Sequence, residues 1–263
     1  MGIVLQGAIM SLRKFFAVAG LAIGALMGST AAQAVTYNLT TDYSNTANPN
    51  GDWSYNFAGN PLPHQAAPAA NGNPLIPAIP AGGYFSTGND LNTNTPDVLK
   101  AAVNGSSAGG NDGDYLAGDI VIHSPNNGTA LTIDWTAPSA GTITNLNASV
   151  WYAHSGVPRS NDVSLSLANV VLDSWTVSNA SNPNRGSAGT FTGAGPFAVA
   201  AGELLTLSFK MTTGQSFGSL NGVAASFDFT ASAVTPIPAT LPLFASALIG
   251  LGWFGRRKRR ETV

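Results

Sequence analysis

Cysteine is absent from this chain of 263 residues, which removes disulfides, thiolate metal ligands and thiol nucleophiles together. Charge is sparse as well, with Asp, Glu, Lys and Arg making up 9% of the sequence. Basic residues are scarcest in the middle of the chain. Of 11 in all, Arg13 and Lys14 precede the first apolar run, and Arg256, Arg257, Lys258, Arg259 and Arg260 follow the last. Lys100, Arg159, Arg185 and Lys210 remain, against 12 of the 13 acids, so the central region carries a net charge near -8. Such a surface repels phosphate backbones, which excludes nucleic acid as a partner. Only three histidines occur, His64, His123 and His154, and none has the short helical spacing of a zinc-binding pair.

Sustained helical periodicity is also missing between residues 35 and 234. Period-two alternation replaces it, in Val35–Thr41, Asp52–Phe57, Asp119–Ser124, Ala130–Thr136, Asp162–Leu167, Leu204–Met211 and Val223–Thr230. Alternation rich in β-branched and aromatic residues marks half-buried strands. Asn50-Gly51, Asn104-Gly105, Asn127-Gly128 and Ala201-Gly202 supply turns between them. Gly59–Gly83 and Leu91–Gly113, rich in small and polar residues, read as surface loops. The expected fold of 35–234 is all-β: an antiparallel β-sandwich of two packed sheets, in the jelly-roll arrangement.

The two ends carry addresses. Arg13-Lys14, the apolar stretch Phe15–Met27 and the small residues Ala32 and Ala34 form a signal peptide over residues 1–34, cut after Ala34. Residues 235–263 contain Pro236, Ile237, Pro238 and Ala239, an uncharged run over 237–255, and the basic cluster Arg256, Arg257, Lys258, Arg259 and Arg260. A transmembrane helix needs ~20 apolar residues, which this run nearly supplies. The basic tail of 256–260 holds its own end in the cytoplasm and places the preceding chain outside. Proline signature, short hydrophobic helix and terminal arginines together resemble the PEP-CTERM sorting signal. Pro236-Ile237-Pro238-Ala239 is closer to the variant signature Val-Pro-Xaa-Pro-Ala than to Pro-Glu-Pro. The resemblance implies a Gram-negative cell-surface protein, an exosortase-type processing enzyme as partner, and an inner-membrane-anchored precursor. The mature product would pass to the outer surface or an exopolysaccharide matrix.

A second resemblance lies in the middle. Asn48-Pro-Asn-Gly-Asp-Trp-Ser-Tyr55, Ile122-His123-Ser124-Pro125 and Ile133–Gly141 are similar to motifs of an ectodomain recurrent in surface-sorted bacterial proteins. That ectodomain looks like a carbohydrate-binding-module jelly roll, and its motifs are structural ones.

Chemistry-bearing residues are few. Gly214-Gln215-Ser216-Phe217-Gly218 fits the nucleophile-elbow pattern, but it lies between two strands and no histidine follows it, so it reads as a turn. Asp112, Asp114 and Asp119 offer oxygen ligands of the kind calcium takes, with an Asx-rich turn as the favoured reading. A structural calcium would be the one cofactor. Trp53, Tyr55 and Phe57 share one strand face and belong to the core. Trp151 and Tyr152 point to opposite faces, so one of them is expected outward. Tyr152, with His154, Arg159, Asn161 and Asp162, forms the candidate carbohydrate rim. Asp134 and Asp173 are acids on strands, the raw material of a glycosidase pair. The expected function is a non-catalytic surface or matrix protein that contacts exopolysaccharide. The alternatives are a secreted polysaccharide hydrolase and a purely structural matrix protein.

Overall fold

The computed structural model describes residues 33–68, 78–89, 95–105, 113–154 and 158–233. The signal segment through Ala32, the sorting segment from Pro236 to Arg260 and Asp112 lie outside the described residues. Among the described residues no helix is long and apolar enough to cross a membrane.

Residues 33–232 form one compact unit of two antiparallel sheets. The six-stranded sheet runs in the order β11 (Val170–Ser178), β10 (Ser160–Leu167), β14 (Leu204–Met211), β8 (Leu131–Thr136), β2 (Trp53–Phe57) and β3 (Asn60–Pro61). The nine-stranded sheet runs β12 (Gly189–Gly193), β9 (Gly141–Tyr152), β15 (Leu220–Ala231), β7 (Ile120–His123), β6 (Asp97–Lys100), β5 (Tyr84–Ser86) and β4 (His64–Gln65). At its margins β1 (Ala34–Asn38) pairs with β15, and β13 (Phe197–Val199) pairs with β9. Successive strands from β7 to β10 alternate between the sheets, so neighbours in a sheet are distant in sequence.

Each run of alternation found in the sequence becomes a strand, because the apolar half has a core to enter. Leu131, Ile133 and Trp135 of β8, Leu205, Leu207 and Phe209 of β14, and Val163, Leu165 and Leu167 of β10 all point between the sheets. Val223, Ala225, Phe227 and Phe229 of β15 meet them from the other side. Each fully buried Leu or Phe contributes about 1.5–3 kcal/mol, and this interior supplies most of the stability. Trp53 and Tyr55 are buried in it as expected.

Three expectations change. The strand read over Val35–Thr41 stops at Asn38, whose Oδ1 accepts the amides of Thr40 and Thr41 and caps a helical turn, α1 (Leu39–Asp42). The two stretches read as loops contain short strands, β3 and β4 in the first and β6 in the second, which extend both sheets. Trp151 and Tyr152 do face opposite ways, yet both are buried. Tyr152 enters the main core, and Trp151 a second one formed outside the nine-stranded sheet by Tyr84, Leu99, Tyr115, Val121 and Leu220. The indole of Trp151 lies across Gly222, where an added Cβ would come within 2.1 Å of Cε2. Glycine is the one residue this crossing admits.

Candidate ligand-binding surface

The residues named for a carbohydrate rim separate on folding. Asn161 has the parity of Val163 and Leu165, so it points inward, and Asp162 points out. Tyr152, His154 and Asn161 are buried, which removes them from any rim. Arg159 is half-buried. Its guanidinium stacks 4.8 Å from the ring centroid of Phe217 and its Nη1 donates to the carbonyl of Gly218. Asp162 is exposed and accepts hydrogen bonds from Thr176 and Thr212, each at 3.0 Å.

What the inward residues build is a polar staple between the sheets. Ser124 Oγ donates to Asn161 Oδ1 at 2.6 Å, while Asn161 Nδ2 donates to Ser219 O at 3.1 Å and to Asn221 Oδ1. Asn221 Nδ2 reaches the carbonyl of Trp151. Buried amides are tolerated because nearly every donor and acceptor is used. Beside this staple sit His123 and His154. Burial pushes both imidazoles down to about 4, with the Arg159 cation adding to the effect. His123 Nδ1 lies 3.1 Å from the carbonyl of Thr95, and His154 Nδ1 has no hydrogen-bond partner among the described residues.

Of the calcium candidates, Asp119 forms an ion pair with Arg185 and accepts the amide of Leu116 at 2.6 Å. Asp114 accepts the backbone amide of Arg185. Arg185 also stacks on Trp151, 4.3 Å from the ring centroid, so these acids clamp the 3-10 turn Arg185–Ser187 onto the second core. Among the described residues no group of three or more His, Asp or Glu is arranged to hold a metal.

The hydrolase pair does not converge either. Asp134 is occupied by Asn56 Nδ2 at 2.6 Å, Thr132 Oγ1 at 2.8 Å and Thr206 Oγ1 at 2.6 Å. Asp173 lies on β11, three strands away in the same sheet, about 14 Å at the usual strand spacing. Ser216 lies in the connection between β14 and β15, with a strand and no helix after it.

The outer face of the six-stranded sheet has the most distinctive chemistry. Its register sets Ser174 beside Ser164, Ser164 beside Ser208, Ser208 beside Thr132 and Thr132 beside Asn56. One row of hydroxyls and an amide therefore crosses five strands without a charge. The hydroxyls of Ser164, Ser174 and Ser208 engage no other described residue. Around them runs a groove of about 360 Å³ lined by Asp162, Ser164, Ser174, Thr176, Ser208 and Lys210. Asp162 and Lys210 oppose each other in register, which leaves the groove near neutral. Ser164 and Ser208 are the outward half of Asp162–Leu167 and Leu204–Met211, whereas Ser174 lies on β11, outside every run of alternation read from the sequence. No aromatic or titratable side chain in the row itself marks them as a site.

No protein-family model matches the sequence, and no curated protein matches it significantly. Among solved structures, a family 35 carbohydrate-binding module from Clostridium thermocellum is 13% identical, with 50% of this chain and 90% of that one covered and a TM-score of 0.27. A family 29 carbohydrate-binding module is 12% identical, covering 55% and 94%, also at 0.27. Dimeric latent PorU from Porphyromonas gingivalis is 13% identical, covering 66% of this chain and 15% of that one, at 0.25.

Proposed function

We propose that this is an exported, non-catalytic surface or matrix protein that binds a neutral polysaccharide along the outer face of its six-stranded sheet. The observation that carries the reading is the row Ser174, Ser164, Ser208, Thr132 and Asn56. A sugar chain presents hydroxyls at short, regular intervals and no charge. Three serine hydroxyls with no described partner, continued by the Thr132 hydroxyl and the Asn56 amide that donate to Asp134, are complementary to it, while an anion or a nucleic acid would find no cation beyond Lys210. The order β7, β15, β9, β12 over β8, β14, β10, β11 supports a jelly roll, two Greek keys wound together. Export rests on the signal pattern of residues 1–34, and delivery on Pro236–Ala239 and Arg256–Arg260, read by an exosortase-type enzyme from an inner-membrane-anchored precursor.

The test is retention of the exported protein on immobilised β-glucan, mannan, xylan and galactan. The double substitution Ser164→Arg with Ser208→Arg should weaken binding to the retaining polysaccharide at least tenfold, with the melting temperature held within a few degrees. Failure of the unaltered protein to bind any polysaccharide would leave the purely structural matrix protein as the better reading.

A further inference from the structure

We infer that the domain has a second polysaccharide-binding face, on the opposite side of the sandwich, and so cross-links two chains instead of coating one. This rests on the reading of the six-stranded face and extends it.

The outer face of the nine-stranded sheet repeats the same construction with different strands. Register places Thr192 beside Asn147, Asn147 beside Ser226, and Ser226 beside Asn38, one row across β12, β9, β15 and β1. A second row sets Thr190 beside Ser149 and Ser149 beside Ala224. These residues line a groove of about 450 Å³ that also touches Thr40 and Thr41 on α1. No residue lining it carries a charge.

The hydroxyls of Ser149, Thr190, Thr192 and Ser226 make no hydrogen bond to any other described residue. Four hydroxyls with no described partner stand side by side around the methyl group of Ala224, in an uncharged groove to which Ala148, Ala225 and Phe191 add apolar surface. A protein partner is disfavoured, since interface cores are built on large apolar and aromatic anchors. Among the described residues the exposed large apolar side chains are Val35, Val103, Leu116, Val170, Val171, Leu204 and Phe217, and none lines either groove; Trp175 and Phe191, which do, are partly buried against the core. An ionic ligand is disfavoured by the lack of charge. A neutral chain of hydroxyls is the chemistry left.

The two grooves face away from each other. Sheets pack about 10 Å apart, and a layer of side chains on each outer face puts the grooves roughly 20 Å apart with the core between them. One sugar chain does not occupy both without wrapping round the sheet edges, so each face takes its own. Two weak sites on one rigid body join separate polymers, and a network gains avidity beyond either site alone.

The experiment uses the exported protein, confirmed monomeric, with the polysaccharide from the β-glucan, mannan, xylan and galactan panel that retains it. Titration with a hexasaccharide cut from that polymer should find two sites per chain. The double substitution Thr190→Arg with Thr192→Arg should leave one site, and so should Ser164→Arg with Ser208→Arg. Light scattering of protein mixed with the intact polymer should rise for the unaltered chain and fall at least tenfold for either double variant. Should the arginine variant fail to fold, Thr192→Val, which exchanges the hydroxyl for a methyl group of similar size, should still weaken the second site severalfold. One site per chain, lost with Ser164→Arg and Ser208→Arg and untouched by Thr190→Arg and Thr192→Arg, would overturn the second face and leave the first standing. No binding by the unaltered chain would overturn both.

Discussion

At the scale of single residues, the polar groups that look functional in the sequence are the ones folding hides. Asn161 holds Ser124, Ser219 and Asn221 in one buried network between the sheets. Replacing it by leucine takes the acceptor from the Ser124 hydroxyl proton, removes a donor to the Ser219 carbonyl and leaves Asn221 Oδ1 with Ser219 Oγ alone. Asn161→Leu should therefore lose about 2–4 kcal/mol in denaturant unfolding. His123 and His154 make a pH prediction. Their folded pKa of about 4 lies below the ordinary 6.5, so in the window between the unfolded chain takes up protons that the folded chain refuses. Stability is then complete above pH 6.5 and declines as pH falls toward 4, by about 3 kcal/mol per imidazole at the limit. The groups facing them are the Thr95 carbonyl, Asp97 opposite His123 in register, the Tyr152 ring and the Arg159 cation, none of which is freed by protonation. Melting temperatures at pH 7, 5.5 and 4 should fall steadily, and His154→Phe should flatten the decline.

Elements were legible where one face was buried and the other wet. The alternation in β2, β8, β10, β14 and the C-terminal part of β15 reports a real inside and outside, and its apolar half fixed the register of each strand against the core. Trp53, Tyr55 and Trp135 could be assigned to the interior on that pattern alone. The pattern failed at Trp151 and Tyr152, because the nine-stranded sheet is covered on both sides at that end by the second core. A doubly buried strand shows no alternation to read. It failed also in β3, β4 and β5, where strands of two or three residues are too short for any period to show. The Asn48-to-Tyr55 motif is structural, as its resemblance to the recurrent ectodomain implied. Asn48 Nδ2 donates to the carbonyls of Tyr55 and Leu62 at 2.7 and 2.9 Å, tying β2 to the corner that precedes it. The proposed binding faces were half legible. Their serines and threonines sit at outward positions of strands that could be placed, but which strands stand side by side is decided by topology, and β10 meets β14 only through a crossover of more than 30 residues.

For the whole molecule, the decisive contact joins its first strand to its last. Ala34 pairs with Thr230 and Asn38 with Ser226, so the described chain enters and leaves the sandwich side by side. A signal cut after Ala34 would leave Val35–Asn38 to make this pairing. The strand is short, but Tyr37 anchors it. Its ring stacks on Phe227 at 5.3 Å and meets Trp135 edge-on at 5.1 Å, while its hydroxyl donates to Asp52 at 2.6 Å. Without β1, the edge of β15 and the rings of Phe227 and Phe229 lose their cover. Deleting Val35–Asn38 should then cost about 3–5 kcal/mol in lost burial and strand pairing. In a domain of this size each kcal/mol is worth about 2–4 °C, so the melting temperature should drop by roughly 10 °C. The single substitution Tyr37→Ala should account for at least half of that drop, since the ring makes most of the contact. A deletion that melts with the unaltered chain would mean that the sandwich closes on β15 alone, and that β1 is a leader to the fold and no part of it.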